Sequence, residues 1–267
     1  MLGRPIPKEP MSIPFFETWL AISLFFGMLL LLEWGRRLGA RRLVHDPAGA
    51  HAGVGAVEGS VYGLLGLLVA FTFSGAASRF DSRRQLIVQE ANDIGTAYLR
   101  LDLLPAESRD RLREKFRIYL DSRLETYRKL PDVEAAEAEL ARSAVLQNEI
   151  WSMAVAAVRS EPPSTTTVLL PALNAMIDIT STRTGAARMH PPRVIFLMLT
   201  VLALVSALLA GYGMGGGKTR NWLHMVAYAA ITAGAVYVIL DLEYPRIGLI
   251  RIDAFDQVLV DLRKSMN

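Results

Sequence analysis

The sequence predicts an all-α membrane protein with four transmembrane helices and a helical soluble insert between the second and the third. Hydrophobic residues make up 52% of its 267 residues, although 21% are charged. The two fractions are compatible because the charge is segregated, with long apolar runs separated by strongly charged stretches. An apolar helix of about 20 residues crosses the hydrocarbon core of a bilayer.

Four apolar runs mark the membrane helices, over residues 13–32, 54–77, 194–213 and 222–240. Trp19, Trp34 and Trp222 lie near their ends, where aromatic rings prefer the headgroup region. The first run is followed by four arginines within seven residues instead of a small-residue cleavage site. It is therefore expected to be a retained helix and not a signal peptide.

The same pattern divides the chain into six segments. We expect an N-terminal tail and first transmembrane helix over 1–33, a short basic loop over 34–53, the second transmembrane helix over 54–78, a helical soluble region over 79–190, the third and fourth transmembrane helices over 191–243, and a C-terminal tail over 244–267.

Charge in the short loops predicts the orientation. The loop after the first helix is rich in arginine, and Lys218 and Arg220 lie between the last two helices. By the positive-inside rule these loops face the cytoplasm, so both termini and the soluble insert are predicted to lie outside it.

The soluble region reads as helical throughout. The second membrane helix meets no strong helix breaker before Pro105, which predicts a rod that continues beyond the bilayer. Apolar residues at spacings of three and four predict further helices over 106–130, 132–159 and 164–189, the second capped by Asp132 and the last interrupted at Pro171. Residues 247–253 are the one stretch compatible with a strand.

Composition argues against several function classes. The chain has no cysteine and only four scattered histidines, so no thiolate or histidine metal site, disulfide or thiol nucleophile is expected. Residues 213–219 (GMGGGKT) fail the phosphate-loop spacing, because Tyr212 stands where its first glycine belongs. The net charge of +3, with acids and bases mixed, does not indicate a nucleic-acid partner. We expect no enzyme, no cofactor and no metal.

The second membrane helix carries a ridge of small residues that recur every three or four positions. Its glycines are Gly55, Gly59, Gly63 and Gly66. Such ridges let helix backbones approach closely in lipid. Either the ridge packs against another helix of the same chain, or the helix lies at the centre of a homo-oligomer.

In the oligomer, the other faces of this helix would line or constrict a central path. The candidates are Glu58, Tyr62, Phe71 and Phe73. A carboxylate within the membrane faces protein or water, which makes Glu58 a functional candidate. The alternative is that the bilayer begins one turn later and Glu58 lies at the interface.

Three further pairs of polar residues are candidates, and the first two have two interpretations each. Arg79 and Arg83, four residues apart, form either a positive collar at the pore mouth or an anchor to lipid phosphates. Asn174 and Asp178 share a helix face and suit a polar contact between helices or subunits as well as a ligand site. Asp241 and Arg251 are expected to form an ion pair that fixes the tail to the insert.

Three segments carry a family resemblance. They are SRFDSRRQLIVQEANDIGTAYLRLDLLP (78–105), LLPALNAMID (169–178) and DLEYPRIGLIRID (241–253). With them the chain resembles, over essentially its whole length, a bacterial bestrophin-like membrane protein family whose members are mostly of unknown function. The resemblance implies a multi-pass protein of the bacterial inner membrane.

The more distant likeness to true bestrophins implies a pentameric anion channel with a narrow apolar neck on the second helix. Phe71 and Phe73 are the neck candidates in this sequence. The acidic calcium-binding cluster of bestrophins is not identifiable here, so calcium gating is not implied. Bestrophin topology would place the insert in the cytosol, opposite to the charge-based prediction.

Two functions follow as expectations. The first is an oligomeric channel for small inorganic anions, embedded in the lipid bilayer, with the second helix lining the path. The second is a membrane-anchored sensory or protein-interaction module without a pore. A transporter ranks third, and an enzyme ranks last.

Overall fold

The computed structural model describes residues 13–45, 54–217 and 220–266, and helices account for nearly all of them. In chain order these are α1 (Ile13–His45), α2 (Val54–Arg100), α3 (Ala106–Arg128), α4 (Val133–Val158), α5 (Pro163–Arg188), α6 (Arg193–Gly213), α7 (Trp222–Glu243) and α8 (Gln257–Ser265). Short 3₁₀ turns cover Leu101–Leu103, Met214–Gly216 and Asp253–Asp256.

The predicted fold class is confirmed. The described residues contain four helices that are long and apolar enough to cross a membrane, and these include α1, α2, α6 and α7. The described part of the chain contains no strand, and residues 247–253 form turns and bends, so the strand considered there is wrong.

Two of the membrane helices are longer than a bilayer requires. α2 runs without a break for 47 residues, or about 70 Å at the standard rise per residue, which matches the predicted rod. α1 extends through most of the segment predicted as a basic loop, up to His45. Glu33 bonds to Arg36 and Arg37, three and four residues later, and such pairs favour a continued helix.

The chain folds as two compact units. The membrane unit comprises the described residues of Met1–Ser78 and His190–Tyr244, and the soluble unit comprises those of Arg79–Met189 and Pro245–Asn267. The C-terminal tail is therefore part of the soluble unit. The boundary lies inside α2, between two consecutive residues of one helix.

Glycines bring α1 and α6 of the membrane unit into backbone contact. A methyl group on Gly35 would overlap the carbonyl oxygen of Leu208, and one on Gly211 would overlap that of Leu32. One turn further along, Gly39 and Gly215 lie equally close to the opposing backbone. These four-residue spacings are the small-residue pattern by which membrane helices pack closely.

The soluble unit has a conventional apolar core. Buried residues of the second half of α2 pack with those of α3, α4, α5 and the tail, among them Ile87, Ile94, Phe116, Ile150 and Leu259. The predicted Asp132 cap is confirmed, since its carboxylate accepts a hydrogen bond from the Ala135 amide at 3.0 Å.

Pro171 does not interrupt α5, contrary to the prediction. The helix continues through it to Arg188. A proline inside a helix costs about 3 kcal/mol. Burial of Leu169, Leu173 and Met176 around it offsets that cost, because each contributes about 1.5–3 kcal/mol.

Candidate functional site

Glu58 and Tyr62 lie one turn apart on the face of α2 that meets the other helices of the membrane unit. The Glu58 carboxylate lies against α6, where a methyl group on Gly213 would come within 3.2 Å of its Oε1. The Tyr62 ring packs edge-to-face on Tyr228 of α7, with 6.5 Å between ring centroids. Both side chains therefore contact their own subunit.

Phe71 lies on a different side of the same helix. It follows Glu58 by 13 positions, which at about 3.6 residues per turn places it well over a third of a turn away. Its side chain is 67% exposed in the single subunit, and that of Phe73 is 46% exposed. Phe73 follows Tyr62 by 11 positions, or about three turns, so it lies on the same side of the helix as Tyr62 but further along it, whereas Phe71 lies on another side.

The glycine ridge of α2 is open. A methyl group added at Gly55, Gly59, Gly63 or Gly66 would meet no heavy atom of the described chain within 4 Å. The first interpretation of the ridge, packing against a neighbouring helix of the same chain, therefore finds no partner among the described residues. Close backbone contacts at glycines occur instead between α1 and the end of α6, at Gly35, Gly39 and Gly211.

Arg83 is held by backbone carbonyls. Its side chain is buried, its Nε donates to the carbonyl oxygen of Ala186 at 3.2 Å, and its Nη2 donates to that of Met189 at 2.9 Å. The last carbonyls of a helix have no partner within the helix, so this guanidinium caps α5. Arg83 is therefore not an open collar cation in the subunit, and Arg79, which is half-buried, is the other member of the predicted pair.

The remaining polar candidates have local partners. On α5 the amide of Asn174 donates to the Asp178 carboxylate at 3.4 Å, and both side chains are exposed. Arg251 pairs with Asp253 at 2.5 Å, within the tail. Asp241 is buried in the membrane unit, with the Tyr237 hydroxyl 3.5 Å from its Oδ1.

Other residues attach the tail to the soluble unit. The Arg263 guanidinium donates to both oxygens of Asp121, at 2.8 and 3.1 Å, and the Tyr98 hydroxyl donates to the carbonyl oxygen of Met266 at 3.1 Å. The Arg84 guanidinium lies 4.1 Å from the centre of the Phe255 ring. Arg263 and Asp121 thus form an ion pair between the tail and the insert.

Sequence reasoning missed a buried ion cluster in the soluble unit, which we call the arginine cluster. It comprises Glu90, Arg123, Tyr127, Arg183 and Arg246. One oxygen of Glu90 accepts from Arg123 Nε at 2.6 Å, and the other accepts from Arg183 Nη1. Glu90 and Arg123 are fully buried. A single carboxylate therefore serves two guanidiniums.

Tyr127 lies at the centre of the arginine cluster. Its hydroxyl accepts a hydrogen bond from Arg123 Nη2 at 2.6 Å. The guanidiniums of Arg183 and Arg246 each lie 4.3 Å from its ring centre, and that of Arg123 lies at 5.3 Å. Arg246, from the tail, also donates to both oxygens of Asp256, at 2.7 and 2.9 Å.

Two sequence signals pointed to this cluster. Glu90 lies inside the segment that carries the family resemblance, and Arg123 falls on the apolar stripe of α3 between Phe116 and Leu124. A charged residue on a buried stripe needs a partner of opposite charge. That partner is not identifiable from sequence, because Glu90 lies 33 positions from Arg123 and 93 from Arg183.

The described residues contain no group of three or more His, Asp or Glu side chains arranged to hold a metal ion. The candidate functional features of the described residues are the exposed membrane half of α2, its glycine ridge and the arginine cluster.

Comparison with known proteins gives the family. A model of the Bestrophin-like domain matches residues 23–254, and no curated protein matches the chain. Among solved structures, two crystal structures of a bacterial bestrophin homologue from Klebsiella pneumoniae, each with a different point mutation, share the fold. They have TM-scores of 0.66 and 0.64 and 16% sequence identity in both cases. The matches cover 91% and 89% of this chain and 99% and 98% of theirs. The chain belongs to the Bestrophin-like family.

Proposed function

We propose that the protein is an oligomeric anion channel whose path is lined by the membrane half of α2. The observation that carries the proposal is the open glycine ridge, which has no partner within the described subunit. The family resemblance supports it, because it implies anion channels built around this helix. The expected partners are the lipid bilayer, further copies of the chain and a small inorganic anion.

Energetics favour another subunit over lipid as the partner of the ridge. Each glycine inside a helix costs about 1 kcal/mol relative to alanine, so Gly55, Gly59, Gly63 and Gly66 together cost about 4 kcal/mol. Lipid chains gain nothing from the missing side chains, whereas a second helix gains a close backbone approach. A neighbouring copy of α2 is therefore the proposed occupant.

Phe71 is the proposed constriction. Together with Leu64 and Leu67 it forms an exposed apolar surface on α2, about a third of a turn from the glycine ridge. In a ring that packs along the ridge, this surface faces the central axis. Apolar constrictions gate ion flow by excluding water. Arg79, eight residues further along α2, would attract anions to the end of the path.

The test compares two exposed phenylalanines in the membrane unit. Halide flux into liposomes is measured for the purified protein, for Phe71→Ala and for Phe26→Ala, whose side chain on α1 is 57% exposed. A barrier change of about 1.4 kcal/mol alters a rate about tenfold. We expect Phe71→Ala to raise flux by about three- to tenfold and Phe26→Ala to leave it unchanged.

Particle imaging of the same samples gives the subunit arrangement. A ring with α2 around its axis supports the channel. Absence of flux in the unmodified protein, together with particles that have no central α2, would require the proposal to be abandoned.

A membrane-anchored interaction module is the second candidate. It is favoured by an open groove of about 500 Å³ in the soluble unit, between α3 and α4. Its lining residues are Lys115, Val145, Asn148, Glu149, Ser152 and Met153. If Phe71→Ala and Phe26→Ala behave alike and neither protein conducts, this candidate takes precedence.

Orientation in the bacterial inner membrane is also a proposal, with both termini and the soluble unit outside the cytoplasm. The chain contains no cysteine, so a single introduced thiol gives an unambiguous signal. Ser152→Cys places it on the exposed surface of the soluble unit. Labelling of intact spheroplasts by a membrane-impermeant maleimide supports this orientation, and labelling only after lysis reverses it.

A further inference from the structure

The arginine cluster and the ion pairs that extend it hold more positive than negative charge. Glu90 balances only one of its two arginine partners, and the tail carboxylates balance the arginines of the tail. The most exposed pair, Arg251 with Asp253, is at the edge of the cluster. In all there are four guanidiniums (Arg123, Arg183, Arg246 and Arg251) and three carboxylates (Glu90, Asp253 and Asp256).

One guanidinium nitrogen in the cluster lacks a hydrogen-bond acceptor. Arg123 uses Nε for Glu90 and Nη2 for the Tyr127 hydroxyl. Its Nη1 is buried and has no hydrogen-bond partner among the described residues. Buried donors in native proteins are almost always paired, so an unpaired Nη1 on a fully buried arginine indicates an acceptor outside the described residues, either an ion or a water molecule.

Tyr127 does not supply the missing negative charge. Burial raises the pKa of its phenol, and this outweighs the opposite effect of Arg123 and Arg246, so the ring stays neutral. The positive charges of the cluster also lie close together. Burial, and after it the charge of Arg246, lower the pKa of Arg183 to about 9. An added negative charge would relieve this crowding.

We propose that the arginine cluster binds one small monovalent inorganic anion, of the size of chloride, at Nη1 of Arg123. A single negative charge equals the excess of the cluster taken together with the ion pairs that extend it, and an anion accepts the N–H groups of Nη1. Arg123 is fully buried, so the ligand we propose is a monatomic ion without its hydration shell.

The proposed site joins two parts of the soluble unit. Arg123 and Arg183 come from the insert, whereas Arg246 comes from the C-terminal tail. The guanidiniums of Arg183 and Arg246 both lie against the Tyr127 ring, so their positive charges repel each other. A bound anion would reduce this repulsion and stabilise the docked tail. The inference goes beyond the proposed channel, because it concerns the soluble unit and holds whether or not the protein conducts.

Bromide tests the position of the site directly. Crystals of the full-length protein are grown in bromide, and anomalous scattering is measured at the bromine edge. We expect a peak within hydrogen-bonding reach of Arg123 Nη1. A water molecule at that position, or no density there in an ordered cluster, would overturn the proposal.

Thermal unfolding tests the energetic role of the site in solution. Detergent-solubilised protein is unfolded in increasing chloride, with gluconate holding the ionic strength constant. Above the dissociation constant, each tenfold rise in chloride should raise Tm by about 3–5 °C.

Two arginine variants complete this experiment. Arg123→Lys removes the forked donor and should abolish the chloride effect, whereas Arg263→Lys, at the exposed Asp121 pair, should retain it. Equal chloride effects in both variants would overturn the proposal. If Arg123→Lys does not fold, the bromide experiment on the unmodified protein decides alone.

Discussion

Replacing Glu90 by glutamine tests whether the soluble unit depends on one carboxylate shared by two buried guanidiniums. The substitution keeps the size of the side chain and removes its charge. Both oxygens of Glu90 are used, by Arg123 and by Arg183, and none of the three side chains is more than slightly exposed. The variant therefore leaves two buried cations without their counter-charge.

The size of the effect follows from this geometry. Removing one partner of a buried ion pair costs about 3–5 kcal/mol. The two arginines share one acceptor, so their losses are coupled and do not simply add. We expect Glu90→Gln to lower the free energy of unfolding of the soluble unit by about 3–5 kcal/mol.

Hydrogen exchange followed by mass spectrometry resolves this effect by unit. Glu90→Gln should speed exchange in the buried segments of α3 and α5, and leave α1 and α6 unchanged. The matched control is Glu149→Gln, because Glu149 forms a partly exposed pair with Lys115 at 2.7 Å, and such surface pairs contribute about 0–1 kcal/mol. If both variants exchange at the same rates, the buried cluster does not hold the soluble unit together.

Two further predictions concern packing and pH. Gly39→Ala should destabilise the membrane unit by more than about 2 kcal/mol, because its methyl group would collide with the backbone of Tyr212 on α6. Gly59→Ala, whose methyl group meets no atom of the described chain within 4 Å, should leave subunit stability unchanged or raise it by up to about 1 kcal/mol, and should weaken only the oligomer. Thermal unfolding measures the first effect, and native mass spectrometry measures the second. The hydrogen bond from Lys129 holds the pKa of Glu139 below its usual value. The stabilisation from this carboxylate is therefore present above the unfolded carboxyl pKa of about 4.3 and is lost as the pH falls through the lower folded value. Glu139→Gln should flatten this part of the curve of unfolding free energy against pH, and an unchanged curve would contradict the assignment.

The membrane helices were predictable because each needs only a local signal, a long apolar run without breakers. The length of α2 followed from the same logic, since no proline stands between Val54 and Arg100. Pro171 shows where this logic fails. An isolated helix would tend to break at this proline, but α5 continues because residues on both sides of Pro171 are buried in the soluble unit.

The site residues were harder to predict because their partners are distant in the chain. The sequence predicts Arg83 as a pore-mouth cation or as an anchor to lipid phosphates, yet its acceptors lie 103 and 106 positions away in the chain. The sequence predicts a packing ridge only for the glycines of α2, whereas in the structure Gly35 and Gly211 meet a backbone and Gly59 meets no atom of the described chain within 4 Å. Helix periodicity gives the face of a residue, but not what covers it.

The glycine contact between α1 and α6 also determines which parts of the membrane unit can move. Where two backbones are in contact, no side-chain rotamer can absorb a shift. Sliding either helix would therefore press the backbone of Leu32 or Leu208 against the opposing helix. The two helices must therefore move as one rigid body. α2 meets its neighbours through side chains, which include Glu58 and Tyr62, and side chains can change rotamer to absorb a shift. Any conformational change within the membrane unit is thus expected to be a turn of α2 against a fixed α1–α6 pair.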